Sequence, residues 1–484
     1  MCLSTCKHHP EQDVRLGAPA GFCLPEHLTH HVLHKRVFTS TYYDTQNYDL
    51  TRLGITLRRR VEQGKGSWQL MIPKSGASGM LEISHGSPKL PPELADLLFA
   101  FLRGQAPTAI AKLRTERHTY QIREDDRTLA ELTKDHIALL EDRRIRKRLT
   151  ELRVMLIDGT NKHLKHITTQ LKTAGAVTKN IRPQLCQALD LKYPEQKQIL
   201  DASAHPGEHV QLRLKQQLDE ILRHDPGTRL GRDQEDLHQM RVATRRARAI
   251  LRTIQPASNS TWNPTIRREI GWLASTLGRV RDFDVLLEKL QRETQTLTAS
   301  EQEAYTSLLN QLASQRAEAH TTMLDALRSP RYLTLLDHLQ SSIQHMDIMT
   351  LHVALQDLAK KEFDKLEKAV DNLPKAYNDE DLHRLRIRAK RVRYATELAE
   401  PCTGKSASQL IRQVRKLQDL LGEHQDTVMI EEQLQTFLRT TQHISSAFTA
   451  GLIVERLRRR RVQARRAFPN RWGKVKKRAK ATLG

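Results

Sequence analysis

Two periodicities divide the chain. Up to about residue 195 the apolar positions alternate, or come in short runs bounded by turn residues. Residues 36–43 are extended, DTQNYDLTRLG turns, and 55–61 alternates as a strand. The Gly-rich EQGKGS then leads into 68–72, a hairpin signal. Further strands are predicted over 80–84, 117–123, 128–133, 136–142 and 149–157, with helices over 91–103 and 161–174. From about 205 onward the apolar residues recur at three and four, which marks amphipathic helices. These helices are predicted over 208–223, 236–254, 264–278, 282–294, 301–327 and 330–345. A second set runs over 349–372, 380–399, 405–422, 426–438 and 443–468. Pro183, Pro194 and Pro206 lie in a polar stretch between the two regimes, so a linker is expected there with its boundary near 195–207.

Within the helical half one stretch occurs twice. DLHQMRVATRRARAIL (236–251) returns as DLHRLRIRAKRVRYAT (381–396), and the shift of 145 residues carries His238 onto His383 and Arg241 onto Arg386. It also carries Arg245 onto Lys390, Arg246 onto Arg391 and Arg248 onto Arg393. On a helix, i, i+3, i+7 and i+10 fall within roughly 80°. His238, Arg241, Arg245 and Arg248 therefore form one stripe, opposite Met240, Ala243, Ala247, Ile250 and Leu251. His383, Arg386, Lys390 and Arg393 repeat it. LGRVRDFDVLLEKL (277–290) matches LGEHQDTVMIEEQL (421–434), and Lys215 and Lys360 precede their histidines by the same distance. Two related helical bundles, about 208–345 and 349–468, are the expected outcome. A basic stripe alone is commonly a solvated face. Here Arg predominates, its fork suits phosphate oxygens, and the pattern is duplicated, which favours a polyanion-binding surface.

Charge supports an anionic partner. The 484 residues carry a net charge of +23, so nucleic acid, an acidic membrane surface or a phosphate polymer is implied. The RLRRRRVQARRAF and RWGKVKKRAK segments form a basic C-terminal tail that extends this surface or binds nucleic acid nonspecifically. No apolar run approaches a membrane span and the start lacks a signal-like stretch, so a cytoplasmic protein is expected. The five cysteines are odd in number and scattered, which argues against a disulfide framework. Cys2, Cys6, His8 and His9 have zinc-ligand chemistry but match no common spacing. Asp282, Asp284 and Asp426 are better read as helix caps or arginine partners than as a metal set.

TYYDTQNYDLTRLGITLRRR followed by GSWQLMIPK resembles the CYTH family, the triphosphate tunnel metalloenzymes. The resemblance covers most of 1–195. It implies a closed antiparallel β-barrel around a tunnel for tri- or polyphosphate, with acidic residues holding Mg²⁺ or Mn²⁺. Glu11, Asp13 and Arg15 match the family's ExExK signature. Arg58, Arg60 and Arg117 would line the tunnel, and Glu131 would join Glu11 and Asp13 at the metal. The pattern also departs from the family. Met71 and Met80 stand where cations are usual, and Arg153 and Met155 stand where the closing strand carries an acidic pair. Carboxylates must hold the ion that activates water, so a weakened or regulatory tunnel is expected.

The duplicated stretch with LGRVRDFDV and LGEHQD resembles the CHAD family, a histidine-bearing α-helical domain. That resemblance implies two pseudo-symmetric bundles whose basic helices bind inorganic polyphosphate, with a link to polyphosphate granules. The implied ligands are His238, Arg241, Arg245, Arg246, Arg248, His383, Arg386, Lys390, Arg391 and Arg393. Lys215, Lys360, Arg412 and Lys416 are further candidates on neighbouring helices. The sequence thus predicts a multi-domain chain, an α+β antiparallel barrel over 1–195 and an all-α duplication over 205–484. It predicts polyphosphate binding. The alternatives are a metal-dependent triphosphatase or polyphosphatase in the barrel, and a nonspecific nucleic-acid binder.

Overall fold

The computed structural model describes residues 5–8, 13–19, 21–28, 31–73, 80–142, 144–178, 183–191, 200–255, 264–294, 299–440 and 444–484. The zinc reading of Cys2, Cys6, His8 and His9 falls outside the described side chains, and Glu11 lies outside the described residues. Two compact units result, Met1–Gln198 and Ile199–Gly484.

The first unit is one antiparallel sheet of ten strands. In chain order they are β1 (Thr5–His8), β2 (Asp13–Ala18), β3 (His31–Val32), β4 (Arg36–Asp44) and β5 (Thr56–Glu62). Then come β6 (Lys65–Pro73), β7 (Met80–His85), β8 (Thr108–Glu124), β9 (Arg127–Glu141) and β10 (Arg144–Leu156). The spatial order is β1-β7-β6-β5-β4-β8-β9-β10-β2, with β3 on β8. The two edges are consecutive in sequence. The few residues joining His8 to Asp13 reach at most about 19 Å, so the sheet must curl until its edges approach. Full closure was the expectation. Among the described residues no ladder joins β1 to β2, so the seam is not hydrogen-bonded there.

Alternation is inverted relative to an ordinary core. Leu132, Leu152 and Val154 point outward beneath Ile167 and Leu171 of a covering helix, while Asp135, Glu151 and Arg153 line the inside. Helices α1 (Asp49–Arg52), α2 (Pro92–Leu97), α3 (Phe99–Leu102), α4 (Asn161–Thr173) and α5 (Gln184–Ala188) complete the unit. The β5–β6 turn places Gln63 and Gly64 at φ 49° and 76°, the two left-handed positions of a type I′ hairpin. The pattern predicts two strands, 128–133 and 136–142, where one strand runs through. Asp135 reads as a break because it is polar, yet it faces the interior opposite Arg117.

The second unit is helical: α6 (Pro206–Leu230), α7 (Gln234–Ile254), α8 (Pro264–Thr294), α9 (Ala299–Leu327) and α10 (Pro330–Gln344). The second repeat supplies α11 (Leu355–Asp371), α12 (Asp379–Thr403), α13 (Lys405–Thr440) and α14 (Ile444–Leu483). Expected breaks near 279–281 and 423–425 do not occur. Gly278 and Gly422 stay inside α8 and α13, at a cost of ~1 kcal/mol each that packing offsets. The basic tail is the other correction. Phe468, Trp472, Val475, Ala479 and Leu483 are buried at helical spacing, and Trp472 stacks on Phe363 at 5.9 Å. Arginines around them mask this apolar stripe in the sequence. Among the described residues no helix is long and apolar enough to cross a membrane, and Cys23 and Cys402 are free thiols.

Candidate functional site

The two copies of the repeat are α7 and α12, and they pack on one another. Their starts are fixed by side chains: Asp233 accepts from Glu235 N at 2.8 Å, and Asn378 with Asp381 forms a reciprocal capping box. Met240, Ala243 and Ala247 of α7 are buried, as are Leu385, Ala389 and Val392 of α12, so both basic stripes turn away from the cores. They converge on Lys390. Burial, and then the charges of Arg245, Arg386, Arg241 and Arg393, hold the Lys390 ammonium down at about 7. Arg241 and Arg386 are likewise held below their ordinary value, by burial first and by Arg245 in addition. Burial also pushes His238 down, with Arg281, Arg241 and Arg245 adding to it. His383 donates from Nδ1 to Gln425 Oε1 at 2.7 Å.

The LG dipeptide of each repeat makes room for an arginine. A methyl group on Gly278 would touch Arg241 Nε at 3.5 Å, and one on Gly422 would touch Arg386 Nε at 3.6 Å. A longer side chain would compete for the guanidinium's place. The buried Nε atoms of Arg241, Arg386 and Arg391 make no hydrogen bond within the protein, whereas those of Arg246 and Arg393 lie 3.4 and 3.5 Å from Glu397. Buried donors are normally matched, so this cluster is arranged for an acceptor of another kind. Asp282 accepts from Arg241 at 2.9 Å, Asp284 from Arg316 at 2.7 Å, and Asp426 from Lys289. All three aspartates pair with cations and lie within helices.

The sheet encloses a cavity of about 490 Å³ lined by Arg15, Arg58, Arg60, Arg117, Asp13, Met71 and Met80, among others. Its cations are already engaged. Arg117 grips Asp135 through two hydrogen bonds of 2.7 Å, and Arg36 grips Glu62 at 2.7 and 2.8 Å. Arg60 also donates to Glu62 at 2.8 Å and lies 3.5 Å over the Phe38 ring; burial lowers it to about 10. Arg58 donates to Gln69 at 2.8 Å, and Gln69 to Glu82 at 2.9 Å. Asp13 accepts from Arg153 at 2.7 Å, with Arg15 3.7 Å away. Glu131 bears on Arg36 and Arg117 only through its charge. Among the described residues no three His, Cys, Asp or Glu side chains are disposed to hold a metal. Of the two described members of the expected set, Asp13 is spent on guanidiniums and Glu131 belongs to no group of metal-ligand side chains, so the described residues do not fit a divalent ion.

A family model of the CYTH domain matches residues 18–179, and one of the CHAD domain matches 212–435. The chain is a CYTH domain followed by a CHAD domain. An uncharacterized protein of Mycobacterium tuberculosis is 28% identical over 448 residues, 86% of this chain and 85% of that protein. The CHAD domain from the plant Ricinus communis is similar at 25% identity and a TM-score of 0.49, covering 58% of this chain and 94% of that one. A Hippeastrum protein described as having a dominant triphosphatase activity is similar at 16% identity and a TM-score of 0.26. It covers 38% of this chain and 98% of its own.

In the CHAD domain the structure gathers Arg241, Arg245, Arg386, Lys390 and Arg393, with His238 beside them. Arg248 is exposed and lies against Gly271. Arg246 and Arg391 sit beside the stripes, near Glu397 and Arg252 respectively. Lys215, Lys360, Arg412 and Lys416 stand exposed on α6, α11 and α13, outside the group that crowds Lys390. Sequence reasoning misses Arg281, Lys289, Glu397 and Arg415. The first two lie in or beside the repeated LG segment, which was the available signal, and Glu397 continues the α12 stripe by one turn. In the CYTH domain it misses Arg36, Glu62, Asp135 and Glu151, whose interior placement depends on strand register.

Proposed function

We propose that the CHAD domain binds linear inorganic polyphosphate along the facing stripes of α7 and α12. The observation that carries this reading is Lys390. Burial, and then four neighbouring arginines, bring its ammonium down to about 7, an arrangement that costs stability unless an anion relieves it. Arginine forks form short charge-assisted bonds with phosphate oxygens, and the Nε donors of Arg241 and Arg386 lack protein acceptors. A phosphate polymer supplies such oxygens at regular intervals along a narrow groove. Retention on polyphosphate granules follows as part of the same proposal.

The test is polyphosphate affinity at physiological salt for the wild type and for Arg245→Glu/Lys390→Glu. Tight binding lost in the double variant supports the stripes as the site. Affinity unchanged by the substitutions assigns binding to general charge. Duplex DNA competing equally at fixed salt would favour a nonspecific nucleic-acid binder instead.

For the CYTH domain a second reading has its own support: six guanidiniums from five strands face one cavity. We propose that it receives short phosphate chains without efficient hydrolysis, since Asp13, Glu62 and Asp135 are held by arginine. Phosphate release from tripolyphosphate with Mg²⁺ or Mn²⁺, abolished by Glu11→Ala, would restore the triphosphatase alternative.

A further inference from the structure

The two basic stripes run one turn beyond Arg248 and Arg393, and there the repeat breaks its own symmetry. The fifth position of the α7 stripe is Arg252, and the corresponding position of the α12 stripe is Glu397. The flanking arginines reach across reciprocally. Arg246 of α7 lies 3.4 Å from Glu397 Oε2, and Arg391 of α12 neighbours Arg252. One pseudo-symmetric contact is therefore made twice with opposite signs, attractive at one end of the groove and repulsive at the other.

Glu397 is more heavily surrounded than one partner requires. Arg393 Nε and Arg415 Nη2 each lie 3.5 Å from its Oε1, and that oxygen, although buried, makes no hydrogen bond. Charge-assisted bonds between guanidinium and carboxylate normally close to 2.7–2.9 Å. Three guanidiniums at 3.4–3.5 Å share one planar carboxylate too small to satisfy them. At the opposite end Arg252 and Arg391 have each other's charge to contend with, and Glu362 is the carboxylate acting on Arg391.

We propose that Glu397 is an internal anion that closes one end of the groove, making it the residue that fixes where a bound phosphate polymer stops. The inference rests on the polyphosphate reading of this groove. The polymer anchors at the Arg252–Arg391 end, runs past Lys390, and halts where Glu397 already occupies Arg246, Arg393 and Arg415. The groove is thereby polar along its length although its two helices are copies. Neutralising Glu397 frees up to three cations for the ligand. Placing a carboxylate at Arg252 closes the second end.

The experiment measures binding of medium-chain polyphosphate by the full chain at several salt concentrations, for the wild type, Glu397→Gln, Arg415→Gln and their double variant. Glu397→Gln should bind about tenfold tighter, and its salt dependence should steepen by one to two counterions, since each newly neutralised phosphate releases roughly one. Arg415→Gln should change little alone but cancel part of the gain in the double variant. Arg252→Glu, on an exposed position that does not threaten folding, should weaken binding at least tenfold. Unchanged affinity and salt slope in Glu397→Gln, with tight wild-type binding, would overturn the inference and leave the polyphosphate reading standing. Additive effects of Glu397→Gln and Arg415→Gln would also overturn it, as would an Arg252→Glu variant that binds like the wild type. Absent wild-type binding removes the polyphosphate reading itself, a result distinguishable from these.

Discussion

Replacing Lys390 by methionine should make the CHAD domain more stable and a worse binder. In the unfolded chain the ammonium keeps its charge to about pH 10.5, whereas in the fold burial and four arginines bring it to about 7. A difference of that size is on the order of 4–5 kcal/mol at 1.36 kcal/mol per pKa unit. Relaxation and water at a partly exposed stem cut this to an expected gain of about 1–3 kcal/mol. The sign follows from proton counting. Between pH 7 and 10.5 the unfolded chain binds more protons at this site than the fold, so the penalty shrinks as pH rises through that window. Below pH 7 it is present in full. Lys390→Met should therefore raise the urea midpoint most at pH 6 and clearly less at pH 9. Trp272 and Trp472 lie in the helical unit and Trp68 in the barrel, so a Trp68→Phe background lets fluorescence follow the helical transition separately from the barrel's. The same variant should lose about tenfold or more in polyphosphate affinity. A variant no more stable than wild type at pH 6, or a gain that does not shrink by pH 9, refutes the account of a crowded charge held for a ligand.

Because burial and neighbouring arginines depress His238, an arriving anion restores its proton, and polyphosphate affinity should rise between pH 8 and 6; a His238→Gln variant should lose part of that rise, the remainder coming from Lys390, as read by calorimetry. Asp13→Asn removes the carboxylate that Arg153 and Arg15 share, so tripolyphosphate affinity of the CYTH domain in EDTA should increase several-fold. An unaltered isotherm would mean these arginines do not face the ligand. Trp472→Ala, which deletes a buried ring stacked on Phe363, should cost about 3–5 kcal/mol, seen as an earlier thermal transition of the helical unit.

What could be read from the sequence tracks where a residue's partner lies. The stripes of α7 and α12 were legible because helical spacing is local and the duplication states the pattern twice. Their convergence was not, since nothing local says that Arg245 and Lys390 meet. Strand positions were legible from alternation, but the inward pairing of Arg117 with Asp135 depends on a register set between distant strands. The substitutions at Met71, Met80 and Arg153 could be noted in advance; that Arg153 holds Asp13 could not. The apolar stripe from Phe468 to Leu483 went unread because twelve lysines and arginines from 458 to 480 dominate the composition there, even though the helical period was present.

The order of strands in the sheet bears on how the chain is made. β2 hydrogen-bonds to β10, and the Arg153–Asp13 contact spans 140 residues. Synthesis at ~5–20 residues per second leaves β2 waiting roughly 10–30 s before its neighbour leaves the ribosome. During that interval its backbone is an open template for any passing strand. Asp13 and Arg15 place opposite charges on this early segment, which discourages wrong partners. Nascent-chain protection at the amino terminus is thus set by when the tenth strand is translated, and pausing before residue 156 would prolong the exposure.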